Sequence, residues 1–214
     1  MDETRPGTSG DGGAEHTGAG PAAPRRIGRL DDPARMRALA HPTRLRILGL
    51  LRTAGPHTVA MLGDQIDEAP GTISYHCTRL ARVGMIEPAP EAGSDRRERW
   101  WRASHESSSW DLGEALDDPE RMLAATALNR TIAAVYAERW ETFVERAATF
   151  DPAWVSSSTS TDTVLRLTPT ELASLGAELQ DVVDRWRAVS TEHGSGDGSE
   201  QVFVLNQAYR WPGA

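Results

Sequence analysis

"PGTISYHCTRL", Pro70 to Leu80, is the stretch that decides how this chain is read. Its apolar members Ile73, Cys77 and Leu80 recur at helical intervals, so one stripe can face a core. The other face carries Thr72, Ser74, Tyr75, His76 and Arg79 and no acidic residue. Most of these side chains both donate and accept hydrogen bonds. A helix face that meets only water usually mixes Glu with Lys or Arg. This face suits a partner that offers acceptors and negative charge.

The flanks supply the rest of a module. Upstream, "DDPARMRALA" reads as a helix with acidic residues and Pro in its first turn. "HPTRLRILGLLRTAG" is a second helix, with His41 as a cap before Pro42 and Gly55-Pro56 as its end. "TVAMLGDQID" is a short third helix, with Val59, Leu62 and Ile66 at spacings of three and four. A brief turn leads into the opening stretch, which Gly84 closes as a C-terminal cap. Then "MIEPA" and "RERWWRA" flank the polar loop "PEAGSDR", a hairpin signal. Helix, helix, helix, turn, helix and hairpin is the order of a winged helix-turn-helix.

"ALAHPTRLRILGLL", "TISYHCTRLARVGMIE" and "RERWWRAS", in this order and spacing, resemble the ArsR-type winged-helix transcription regulators. The resemblance covers residues 30–104. It is strongest to the subgroup with Ser-Tyr-His in the recognition helix, Arg-Trp-Trp on the wing and a helical C-terminal extension. It implies a dimeric DNA-binding regulator, by family habit a repressor. In that arrangement the second helix of the motif enters the major groove. Arg79 can fork onto a guanine, Thr72 and His76 can donate or accept, and Tyr75 shares their face. Ser74 and the helix start suit a phosphate. His76 packed inward and Ser74 bonded to backbone are the alternatives. Arg96 and Arg97 at the wing tip are expected over the adjacent minor groove or backbone, with Arg99 a weaker candidate. Of Trp100 and Trp101, one should enter the core and the other cover the wing or the linker.

Metal sensing by the family's familiar routes is not expected. The positions of its paired thiols fall by register on Thr58 and Ala60, and residues 119–150 contain no His. No metal or other cofactor is therefore assigned. Cys77, the single cysteine, lies in the core stripe, where a thiol behaves as a small hydrophobe. One cysteine excludes an intrachain disulfide.

Charge is divided along the chain. The net charge is −8, but residues 25–103 hold 14 Arg against 9 acidic residues, a balance of +5, which leaves −13 for the remainder. A basic segment in an acidic protein favours a polyanionic partner. The chain contains no Lys, so all 23 basic residues are Arg. No apolar run is long enough to span a membrane and no secretory pattern opens the chain, so a cytoplasmic protein is expected.

Residues 1–26, rich in Gly, Pro and Ala, read as a disordered tail. Residues 27–104 are the winged helix-turn-helix and 105–118 a linker anchored by Trp110. From 119 to 150 runs a long dimerisation helix, with Leu128, Ile132, Val135, Tyr136, Trp140, Phe143, Ala147 and Phe150 on one stripe. Residues 160–211 read as a β-α-β unit for dimerisation or effector binding. It has strands at 163–167 and 201–211 around a helix opened by the capping box Thr168 to Glu171. The expected fold is thus mainly α with small β.

Two other functions are weaker. An enzyme lacks support, because "GSGDGS" at 194–199 follows a helix, the wrong context for a nucleotide loop. A winged helix turned protein-interaction module would carry an acidic recognition face, unlike this one. The expected partners are operator DNA and a second copy of the chain, with a small-molecule effector left open.

Overall fold

The computed structural model describes residues 26–93, 98–194 and 196–213. The chain divides into two compact units, residues 25–159 and a second that contains 160–214.

The first unit opens with β1 (Ile27–Arg29), α1 (Pro33–Leu39) and α2 (Pro42–Thr53), continues through β2 (His57–Thr58) and α3 (Val59–Ile66) to α4 (Pro70–Arg82), and reaches the wing strands β3 (Ile86–Pro88) and β4 (Trp100–Ala103). β5 (Ser107–Ser109), α5 (Pro119–Arg146) and α6 (Pro152–Ser157) complete it. The helix starts carry local codes. Asp32 accepts from the amide of Ala34 at 2.7 Å, Thr58 from Met61 at 3.3 Å and Asp118 from Arg121 at 3.0 Å, each satisfying an amide that the helix leaves unpaired. Pro stands in the first turn of α1, α2, α4 and α5. Gly84 ends α4 region at φ +69°, backbone that favours glycine.

One core joins these elements. Met36 and Leu39 of α1, Ile47 and Leu48 of α2, Leu62 of α3, Ile73, Cys77 and Leu80 of α4 and Trp101 of β4 are all buried in it. Ala124, Ala125, Leu128 and Ile132 bring the first half of α5 into the same cluster. β4 is the centre of an antiparallel sheet of order β2-β4-β3, with His57 opposite Trp101 and Ile86 opposite Ala103. This is the winged helix that the element order implied.

Three expectations need correction. The 105–118 linker is structured, since β5 pairs in parallel with β1, Ile27 against Ser107 and Arg29 against Ser109. Ser-Ser-Ser has no apolar alternation to announce a strand. Gly28 permits the approach, because a β-carbon there would meet the His105 ring. Half-buried Arg52 of α2 fastens the same segment, donating to the His105 carbonyl at 3.0 Å and the Ser108 hydroxyl at 2.7 Å. Second, the long helix ends at Arg146, with a tighter turn at 147–149. Its stripe divides: Leu128, Ile132 and Val135 are buried, while Trp140 and Phe150 are exposed, as is Val144 beside them.

The third correction concerns the second unit. Its one helix, α7 (Pro169–Ser190), has the expected capping box, and the Glu171 carboxylate accepts from the Thr168 amide at 2.7 Å. Segments 163–167 and 201–211, expected as strands, lie outside both sheets and form no strand among the described residues. A strand needs a neighbour for its amides and carbonyls, and apolar sequence alone does not provide one. The expected tail at 1–26 falls outside the described residues except for Arg26.

Candidate nucleic-acid interface

Burial of Ile73, Cys77 and Leu80 fixes the rotation of α4, and so determines what faces outward. Ser74, Tyr75 and Arg79 are exposed, Tyr75 by 57 %, and Thr72 is partly so. Thr78 and Arg82 lie on the same open face, which the sequence reading did not single out. Steps of four and seven from Ser74 and Tyr75 point to them. The Thr78 hydroxyl donates to the Ser74 carbonyl at 2.9 Å. No acidic residue occupies the first turn of α4, and its N-cap, Ala69, offers no side-chain acceptor to the amides there. Pro70 has no amide hydrogen and the Ile73 amide donates to the Ala69 carbonyl, so the amides of Gly71 and Thr72 and the positive end of the helix dipole are left to an outside partner.

His76 departs from the expected face. It is 5 % exposed and turned toward α2, where its ring lies 4.5 Å from that of His41. Nη1 of Arg44 sits 3.4 Å from its Nδ1. One position past Tyr75 is about 100° around a helix, enough to carry a side chain from the open face to the packed one. His41 stands at the start of α2 but makes no capping hydrogen bond; its ring packs against His76 instead, tilted by 46°. Burial, followed by Arg44, lowers the His41 pKa, and Glu68 opposes them. Burial also lowers that of His76, with His41 and Arg44 adding to it and Glu68 again opposing.

On the wing, Trp101 is core at 2 % exposure, and its ring lies beneath the Arg99 guanidinium at 4.2 Å. Trp100 packs over Gly93, where a β-carbon would collide with the indole. Arg102 donates to Glu87 at 2.8 Å and to Glu91 at 2.5 Å, so its charge is already matched. Arg96 and Arg97 lie outside the described residues.

The histidines and the thiol have structural settings. His57 is buried, with Nδ1 3.0 Å from the Gly55 carbonyl and Nε2 3.1 Å from Gln65. Thr58 caps α3, and Ala60 is exposed. Among the described residues no three His, Cys, Asp or Glu side chains gather as a metal site. Burial pushes the Cys77 thiol up to about 11, far from the thiolate that a redox sensor uses. A cleft of about 420 Å³ lies between the end of α4 and the wing, lined by Arg26, Gly84, Glu87, Arg99, Trp101 and His105 among others.

Residues 39–89 match the family described as a helix-turn-helix domain, the segment from the end of α1 to the end of β3. These residues therefore form a helix-turn-helix domain. No curated protein matches the chain. Among solved structures, the chain is similar to ZitR of Lactococcus lactis, in its C30AH42A mutant. One structure, in the apo form, is 16 % identical over 72 % of this chain and 82 % of that one, with a TM-score of 0.31. A second is 16 % identical over 71 % and 73 %, at 0.30. No helix among the described residues is long and apolar enough to cross a membrane.

Proposed function

We propose that the chain is a sequence-specific double-stranded-DNA-binding transcription regulator, a repressor, that acts as a homodimer. The observation that carries this reading is the open face of α4. It has no acid, an uncapped N-terminus, and a row of hydrogen-bonding side chains set rigidly on a buried stripe. Thr72, Tyr75 and Arg79 are assigned to base edges and Ser74 to a phosphate, with Thr78 and Arg82 added beside them. Arg96 and Arg97 are assigned to the backbone beyond the wing, leaving His76 as a support.

One small module reads too few bases for a unique site, and symmetric half-sites about one helical turn apart solve this. The exposed Trp140, Val144 and Phe150 of α5 offer a surface for the second copy. The cleft beside β4 is where a small-molecule effector would touch both α4 and the wing. The reading rests on gel retardation of a duplex selected from a randomised pool. Binding should survive competition by random DNA and weaken steeply as salt rises. Equal affinity for random DNA would refute sequence reading.

A further inference from the structure

The recognition helix is held at its middle by a cluster of groups that share positive charge. His76 enters from α4, and His41 and Arg44 meet it from the start of α2. Arg44 also donates to the carbonyls of Ala38 and Arg37, so one guanidinium ties the end of α1 to α2 and to α4. Nδ1 of His41 is sealed from solvent and has no hydrogen-bond partner. Around the pair stand Tyr75, whose ring meets His76 edge-on at 5.3 Å, Glu68 from the turn before α4, and Arg79, whose charge reaches Arg44.

This packing suits neutral rings. A proton on either imidazole puts a cation against Arg44, and a proton on both puts three cations at one contact. Among the described residues Glu68 is the only carboxylate that acts on both rings, and it does not outweigh burial and Arg44. The strained contact is the seat of α4, one position from Tyr75 on the reading face.

We propose that His76 is a positioning residue for DNA reading: seated on His41 and Arg44, it holds α4 in its binding pose while neutral and releases it on taking up a proton. The proposal rests on the DNA-binding reading above. Its sign is unusual. New positive charge near a recognition helix ordinarily tightens DNA binding, whereas here acidification weakens it. The unfolded chain takes up these protons near 6.5 and the folded chain only at lower pH. The stability is therefore whole above 6.5 and is lost as pH falls through the lowered folded values.

The test follows two profiles of the full chain between about pH 7.5 and pH 5.5, the range in which imidazoles titrate. One is affinity for the selected duplex, and the other is midpoint of thermal unfolding. Both should fall together on acidification, with the folding constant dropping by at most about tenfold per pH unit for each imidazole. His76→Phe keeps a ring and removes one of the two proton sites, so both slopes should halve. His41→Phe should halve the slope. Profiles that keep the wild-type slope in both variants would overturn the latch, as would DNA binding that tightens on acidification. Should His76→Phe fail to fold, the ring resonances of the wild-type protein decide, and a His76 that titrates at 6.5 or above overturns it. A chain that binds no DNA at any pH removes the regulator reading, while the unfolding profile still decides the latch.

Discussion

α4 and α7 are two amphipathic helices with good local signals and opposite fates. Both begin with Pro in the first turn, and α7 has in addition a complete capping box. Yet α4 buries Ile73, Cys77 and Leu80 completely, and α7 buries none of its 22 residues. The apolar residues around α7 share this exposure, with Val164, Leu165, Val202, Val204, Tyr209 and Trp211 all open. Local codes thus decide whether a helix forms, and only a facing surface decides whether it contributes a core. An exposed apolar pattern on this scale marks a surface awaiting a partner. For the homodimer proposed above, the second copy would supply that cover.

Substitutions can break this contrast. The largest effect is expected from Leu80→Ala, which leaves a cavity in the main core and should cost about 2–5 kcal/mol in chemical denaturation. A loss below about 1 kcal/mol would deny that α4 is a core helix. Next, Arg79→Ala should cost about 1–3 kcal/mol of operator binding and narrow the gap to random DNA, with folding unchanged. The paired loss of Arg96 and Arg97 should instead weaken all sequences alike and reduce the salt slope by about one unit per lost phosphate contact. If the two variants exchange these signatures, α4 is not the reader. Smaller again, Asp118→Ala removes the cap of α5 and should cost about 1 kcal/mol. The smallest effect belongs to Leu179→Ala on α7, within about 0.5 kcal/mol at dilutions where the chain is monomeric. At higher concentrations, where a partner covers α7, the cost should grow, and light scattering should show a weakened dimer. A loss independent of concentration would mean that α7 already has a core of its own.

The sequence showed the winged helix clearly because its signals agreed with one another. Apolar spacing, Pro at helix starts, Gly84 and the Trp pair on the wing all fitted one topology. Within the site it showed which residue types face outward, but not the rotation of α4 to within one residue. The sequence therefore leaves His76 between the open face and the core, and the 4.5 Å contact with His41 shows where it sits. The β1–β5 pair was hidden for a different reason: three serines gain a strand from Gly28 and Arg52, both distant in sequence. Segments 163–167 and 201–211 failed in the opposite direction. Their β-capable composition promised pairing, but composition cannot say which chain the neighbouring strand belongs to.

The β1–β5 pair also makes the winged helix a mechanical element. Its strands run parallel, and the chain enters at Ile27 and leaves beyond Ser109, at opposite ends of the pair. Tension along the chain therefore loads the pair in shear. The bonds from Leu30 to the Ser109 carbonyl and from Glu106 to the Arg26 carbonyl, each 2.9 Å, would share the load instead of opening one after the other. Pulled from its two sides, the module should hold and then give way in one event, which a single-molecule extension trace would record as one rupture. Opening in several small steps would show that the clasp carries no load.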